Sequence, residues 1–156
     1  MGSQTTKVRP VKPATGYKDD VFTWVWEQVA LLRAGRLSEV DALNVAEELS
    51  DVGNEIYFRL ESSFVVLTQH FLKWDHQPGR RSLSWQFSID EQRRRIAKLL
   101  RKNPGLKSEI AEALADGYLD GRARAIVETK IAKSKFPATC PYTFDELMTR
   151  VIEFDD

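Results

Sequence analysis

The stretch Glu55–Asp75 reads EIYFRLESSFVVLTQHFLKWD, and its large apolar residues recur with helical spacing. Six of them follow one another at intervals of four, four, three, four and three residues: Ile56, Leu60, Phe64, Leu67, Phe71 and Trp74. Such near-heptad spacing is typical of a helix that packs lengthwise against neighbouring helices. The stretch therefore predicts an all-α, mostly antiparallel helical bundle.

Helical periodicity continues on both sides of this stretch, and no segment alternates as a strand would. Upstream, Gly35 is placed to end a first helix and Ser38 to begin a second, which we expect to break or kink near Gly53. Downstream, Pro78-Gly79 and Asn103-Pro104-Gly105 separate further helices. The five main helices are predicted at about 19–34, 38–52, 55–75, 83–102 and 106–132, before a short C-terminal helix that Thr143 caps.

Length and composition fit a single folded domain. The chain has 156 residues, of which 42% are hydrophobic and 29% are charged, as is ordinary for globular proteins. Residues 1–16 hold mainly small and polar residues and predict a mobile tail, so the bundle domain is assigned to residues 17–156. No apolar run approaches the roughly 20 residues that a membrane helix needs. The lone Cys140 excludes a disulfide framework and favours a reducing, cytoplasmic location.

The fifth predicted helix carries a row of small residues at every fourth position, Ala113, Gly117, Gly121 and Ala125. Each glycine costs about 1 kcal/mol relative to alanine in a helix interior. We therefore expect a neighbouring helix to approach this row closely enough to offset that loss.

Charge is unevenly distributed along a chain whose formal net charge is zero. Residues 38–61 hold seven acids and one base, a net charge of −6, whereas residues 73–107 hold ten bases and three acids, a net charge of +7. The two segments are expected to neutralise one another within the bundle, or the basic one to face a nucleic acid.

The order and spacing of several short motifs resemble a known family. These motifs are Tyr17-x-x-Asp20, Trp24, Leu31-Leu-Arg-Ala-Gly-Arg36, Asp41-x-x-Asn44, Ala46-Glu-Glu48, His70-Phe-Leu-Lys-Trp74, Arg81-Ser-x-Ser-Trp85, Gln92-Arg-Arg94, Pro104-Gly-Leu106, Phe136-Pro and Cys140-Pro-Tyr142. The chain resembles a bacterial domain-of-unknown-function family, number 29 in its series, over roughly residues 17–150. The resemblance implies a soluble, all-helical bacterial protein and carries over no catalytic residue.

Two residues are candidates for catalysis, Glu47 and His70. Glu47 lies between Val40 and Leu43 on a helical wheel, and His70 lies one turn from both Leu67 and Trp74. A carboxylate and an imidazole in apolar surroundings are suited to general acid–base catalysis when they meet. The structural alternative is favoured: Glu47 in an ion pair with Lys73, Arg81, Arg93 or His70, and His70 as a neutral core residue.

A metal site is a further alternative, built from the oxygen ligands of Glu47, Glu48 and Asp51, which suit magnesium or calcium. Two histidines without a glutamate three positions before either do not supply a di-iron or three-histidine site. A run of acids on a helix is usually solvated, so no metal and no cofactor are expected.

Nucleic-acid binding is an alternative function that uses the fourth predicted helix. Arg94, Lys98 and Arg101 share its outer face, on which Leu83 and Phe87 also begin. A basic and aromatic strip of this kind is typical of surfaces that contact phosphates.

The preferred hypothesis is a non-enzymatic protein-interaction module that binds a protein partner or a second copy of itself. Leu83 and Phe87 form an exposed apolar spot on the fourth predicted helix, and exposed apolar residues often mark partner sites.

Overall fold

The computed structural model describes residues 15–154, and every regular element among them is helical. The five α-helices in this range are α1 (Val21–Arg33), α2 (Ala42–His76), α3 (Leu83–Lys102), α4 (Ile110–Thr129) and α5 (Phe144–Thr149). Short 3-10 turns occur at Leu37–Glu39, Pro78–Arg80, Pro104–Glu109 and Lys133–Lys135. The predicted all-α bundle class is confirmed, while the predicted mobile tail lies almost wholly outside the described residues.

The chain divides into two compact units, with the boundary between Val52 and Gly53. The N-terminal unit holds α1 and the start of α2, and the C-terminal unit holds the remainder of α2 with α3, α4 and α5. The assignment of residues 17–156 to one domain stays a prediction.

The predicted break near Gly53 is wrong, because α2 runs without interruption from Ala42 to His76. Gly53 is exposed within this helix, and no atom lies within 4 Å of the position that a Cβ would take. One glycine costs a helix only about 1 kcal/mol, which the 35-residue hydrogen-bonded length of α2 and its packed half outweigh. The helix also starts later than predicted, with Asp41 Oδ1 accepting a 3.4 Å hydrogen bond from the Asn44 amide.

Three predicted helix boundaries are confirmed by their capping residues. Gly35 has a positive φ of 69°, the left-handed backbone that favours glycine after a helix. The Ser82 hydroxyl accepts a hydrogen bond from the Trp85 amide and begins α3. Thr143 and Glu146 form a reciprocal capping box at the start of α5.

The core of the C-terminal unit follows the seam predicted from the sequence. Five of the six seam residues are buried: Leu60, Phe64, Leu67, Phe71 and Trp74. The sixth, Ile56, is partly buried against them. From α3, Ile89, Ile96 and Leu100 enter the same core. Burial of these large side chains is the main stabilising contribution in a bundle of this kind.

The row of small residues on α4 lies directly against α2, as predicted. A Cβ added at Gly117 would lie 2.8 Å from the Glu61 carbonyl oxygen, and one added at Gly121 would lie 2.7 Å from the Val65 carbonyl oxygen. Both distances are far inside van der Waals contact. The two glycines are therefore what allows the backbones of α2 and α4 to approach each other.

A polar cluster joins the end of α2 to the segment around α5. Asp75 accepts hydrogen bonds from the Tyr142 hydroxyl at 2.8 Å and from the Arg150 guanidinium at 2.6 and 3.0 Å. Burial opposes ionisation of Asp75, but these hydrogen bonds outweigh it and lower the pKa of its carboxyl group. The cluster thus holds a charged, partly buried carboxylate in place.

Candidate functional site

His70 lies half-buried on α2, where its ring bonds to its own helix. Its Nδ1–H donates a 2.8 Å hydrogen bond to the Val66 carbonyl oxygen, one turn earlier. Burial lowers the pKa of the imidazole, so the neutral ring is favoured in the folded chain. This hydrogen bond fixes the tautomer and the orientation of the ring, so that Nε2 is the nitrogen that can accept a proton.

Lys73, three residues further on, is only 3% exposed and points to α4. Its ammonium lies 2.5 Å from Glu128 Oε1 and 4.3 Å from the centre of the Trp85 ring. Gln69 donates a second hydrogen bond, of 2.7 Å, to the other oxygen of Glu128. The partner of Lys73 is therefore Glu128, which sequence reasoning missed, and the predicted pairing of Lys73 with Glu47 is wrong.

Arg81 and Arg93, two other predicted partners of Glu47, donate hydrogen bonds to backbone carbonyl groups at the C-terminal ends of helices. Arg81 donates to the Trp74 carbonyl oxygen at 3.0 Å. Arg93 donates to the carbonyl oxygens of Leu147 and Arg150 at 2.6 and 2.7 Å. These arginines satisfy carbonyl groups that a helix leaves without partners at its C-terminus.

The acidic candidates lie in the N-terminal unit. Glu47 and Asp51 are exposed, and Glu48 accepts a 2.6 Å hydrogen bond from the Tyr17 hydroxyl. Within residues 15–154, no three histidine, cysteine, aspartate or glutamate side chains are grouped as ligands of one metal ion. Glu47, Glu48 and Asp51 accordingly do not form such a group in this structure.

Apart from the Lys73–Glu128 and Asp75–Arg150 pairs, the ion pairs of the acidic and basic segments among residues 15–154 are local. Glu55 pairs with Arg59 within α2, and Asp90 and Glu91 pair with Arg93 and Arg95 within α3. Four further cations of α3 are exposed and form no ion pair with any residue between 15 and 154: Arg94, Lys98, Arg101 and Lys102. The basic surface of α3 is thus available to an external anion.

A groove of about 710 Å³ runs between α2 and α3 within the C-terminal unit. We call it the α2–α3 groove. Its floor is apolar, with Ile56, Val66 and Leu99, and its α3 side carries Gln92, Arg95, Lys98 and Lys102. Of the predicted nucleic-acid contacts only Lys98 lines it, while Arg94 and Arg101 lie outside.

A second groove, of about 200 Å³, lies between α1 and the start of α2 within the N-terminal unit. We call it the N-terminal groove. Its walls are Trp24, Val25, Val29 and Leu32 from α1 with Val45 and Leu49 from α2. Leu49 is 66% exposed, and Phe22 and Trp26 extend the apolar surface from Val29 along α1 at helical spacing. Sequence reasoning did not identify this surface.

The predicted apolar spot on α3 is exposed. Leu83 is 48% and Phe87 is 60% accessible, and neither lines either groove. As candidates for partner binding they stay predictions.

Comparison with known families assigns the chain. Residues 17–151 match the family described as domain of unknown function DUF29. The chain belongs to the DUF29 family. No curated protein and no solved structure matches the chain.

Several residues that carry the DUF29 resemblance have structural roles in this chain. Asp20 caps α1 through the Thr23 amide, and the Trp24 indole donates to Asp41 at 3.3 Å. Tyr17 bonds to Glu48, and Tyr142 bonds to Asp75. Much of the DUF29 motif pattern in this chain therefore maintains the fold of each unit.

Cys140 of this DUF29 chain is a partly buried thiol. Burial raises the pKa of the thiol, and its Sγ–H donates to the Tyr142 carbonyl oxygen at 3.4 Å. A protonated thiol is a poor nucleophile, so its observed role is to hold the segment before α5.

None of the helices described for this DUF29 member, between residues 15 and 154, combines the length and hydropathy that a bilayer-crossing helix needs.

Proposed function

We propose that this chain is a non-enzymatic protein-interaction module whose N-terminal groove binds a basic, amphipathic helix of a partner protein. The observation that carries the proposal is how little the N-terminal unit buries. Between residues 15 and 52, only Trp24 and Gln28 are buried. Helices normally bury their apolar stripe against another element, whereas α1 and the start of α2 leave much of that stripe uncovered.

The shape of the uncovered surface fits a third helix. Leu49 and Val52 continue Val45 at helical spacing along α2, opposite Val25, Val29 and Leu32 of α1. Two roughly parallel apolar ridges with a furrow between them are the usual seat of an amphipathic helix. This supports a helical occupant over an extended peptide.

Charge supports a basic occupant. Residues 15–52 hold eight acids and three bases, a net charge of −5. A second copy of the same unit would bring a like charge to the interface, which weakens association, whereas lysine and arginine flanks on a partner helix are attracted. The charge balance therefore favours a basic helix over self-association through this face.

The proposal is tested with two labelled 20-residue model peptides on the full chain. Both carry leucines at a and d heptad positions; one has lysine and the other glutamate on the flanks. We expect the lysine peptide to bind and the Leu32→Ser/Leu49→Ser variant to bind it at least tenfold more weakly, because two exposed groove leucines are lost. Fluorescence anisotropy measures both affinities.

The matched control is Leu37→Ser/Leu43→Ser, which removes two exposed leucines that do not line the groove. It should keep wild-type affinity. Equal binding of both peptides, or an equal loss in the control variant, contradicts the proposal. A wild-type dimer that dissociates in Leu32→Ser/Leu49→Ser, measured by light scattering, would instead make a second copy the occupant.

A further inference from the structure

The α2–α3 groove contains a buried amide without a partner. Gln92 is only 5% exposed, and its side chain forms no hydrogen bond with any residue in 15–154. Every fully enclosed side-chain nitrogen or oxygen in that range has a hydrogen-bond partner. Because the Gln92 amide has none there, it is not fully enclosed and must reach open space. Gln92 lines the α2–α3 groove, which is where that space lies.

An amide in this position selects for polar ligands. It offers two N–H donors and one carbonyl acceptor, and a ligand that covers these groups without pairing them removes their hydrogen bonds to water without replacing them. An acyl chain lying on the apolar floor would leave the amide unpaired. The edge of a nucleobase offers donors and acceptors together, which a glutamine can bond in a bidentate manner.

The cations of the groove form a row rather than a point. Lys98 and Lys102 are one turn apart on α3 and have no ion-pair partner among the described residues, and Arg95 precedes Lys98 by one turn. From Arg95 to Lys102 the helix rises about 10 Å. A row of this length fits successive phosphates better than a single one.

The α2 side of the groove supplies an aromatic surface. Phe58 lines the groove and is 56% exposed, so its ring is open to a ligand. Ser62 lies one turn further along α2 on the same wall and adds a hydroxyl. Exposed aromatic rings beside lysines are typical of surfaces on which bases stack while phosphates are neutralised.

We propose that the α2–α3 groove binds nucleoside phosphates, with phosphates at Lys98 and Lys102, a base against Phe58 and a base edge at Gln92. Free nucleotides and single-stranded nucleic acid share this chemistry, and the length of the cation row favours the strand. An acidic peptide also suits the lysines but has no group for the Phe58 face or the Gln92 amide. This site lies in the C-terminal unit and is independent of the N-terminal groove.

The test is fluorescence anisotropy of a labelled 12-nucleotide single strand with the full chain at about 100 mM salt. Unlabelled ATP, the same strand, its duplex and polyglutamate serve as competitors. We expect the single strand to compete best, with ATP weaker and the duplex and polyglutamate weakest. Stronger competition by ATP than by the strand would make the free nucleotide the source of the same chemistry and would still support the site.

Two variants with matched controls locate the site. Lys98→Glu/Lys102→Glu should weaken binding at least tenfold, whereas Arg94→Glu/Arg101→Glu, the same charge change on the same helix outside the groove, should weaken it less than about threefold. Phe58→Ala should weaken binding about tenfold and Phe87→Ala, an equally exposed ring on α3, should leave it unchanged. All six substituted positions are exposed, so folding is retained.

Gln92→Met adds a variant that keeps the side-chain volume and removes the amide. It should change the relative affinities for four single strands that each contain only one kind of base, since a lost base-edge contact changes selectivity more than total affinity. An equal loss in Arg94→Glu/Arg101→Glu, equal competition by polyglutamate, or the absence of binding to both nucleotide forms at 100 µM protein overturns the proposal.

Discussion

At the scale of single residues, the chemistry of His70 is decided by one hydrogen bond. Nδ1–H donates to the Val66 carbonyl oxygen, so that nitrogen is not available for an acid partner. The ring is half-buried, and two charged groups act on its pKa: Lys73 lowers it and Glu128 raises it. Burial thus favours the neutral form of this imidazole within helix α2.

This environment predicts a dependence of stability on pH. Because burial lowers the pKa of His70 in the folded chain, the unfolded chain binds the proton more tightly. The free energy of unfolding should be at its full value above about pH 6.5 and fall as the pH decreases below that, by at most about 1.4 kcal/mol per pH unit for one proton. Urea unfolding between pH 5 and pH 7.5 measures it.

In His70→Gln this dependence should be lost between pH 5 and pH 6.5. Asp75 and Glu128 have lowered pKa values, so their contribution decreases only below about pH 4, in a separate range. If His76→Gln removes the dependence and His70→Gln does not, His70 is the wrong group.

At the scale of elements, two glycines in helices have opposite roles. Gly121 on α4 lies against the α2 backbone, whereas Gly53 on α2 has open space around it. The same residue type therefore permits a close helix crossing at one position and is a local weakness at the other.

Replacing each glycine by alanine separates these roles. Gly121→Ala should lower the free energy of unfolding by about 1–3 kcal/mol, because the new methyl group overlaps the Val65 carbonyl oxygen. Gly53→Ala should raise it by about 0.5–1 kcal/mol, since alanine is the better helix former and meets no neighbour. Urea unfolding followed by circular dichroism measures both, and a Gly121→Ala variant as stable as wild type would refute the packing argument.

At the scale of the whole molecule, burial differs sharply between the two units. The C-terminal unit contains a continuous buried cluster that includes Leu60, Phe64 and Ile96, whereas the N-terminal unit buries only Trp24 and Gln28. Local stability follows the density of buried apolar contacts. The N-terminal unit should therefore open more readily than the C-terminal unit.

Hydrogen exchange followed by mass spectrometry tests this difference on the full chain. Amides of α1 should exchange at least tenfold faster than those in residues 60–72 of α2, since they are released by local opening. Within α2 itself, residues 45–52 should exchange faster than residues 60–72 for the same reason. Uniform protection throughout α2 and α1 would show that the two units open together.

Periodicity and capping residues determined much of this fold from the sequence. The near-heptad seam of Glu55–Asp75 predicted the buried face of α2, and Thr143 predicted the start of α5, because these signals act over one or two turns. The small row on α4 similarly predicted a close helix crossing. Local chemistry was sufficient in each case.

Only the tertiary structure decided which side chains meet. Lys73 pairs with Glu128, 55 residues away, and Asp75 with Arg150, 75 residues away, and no local pattern selects such partners among many acids and bases. Gly53 predicted a helix break because its local cost was visible, while the stabilisation from packing along α2 was not. The buried amide of Gln92, which has no hydrogen-bond partner in residues 15–154 and lines the α2–α3 groove, is likewise evident only in the tertiary structure.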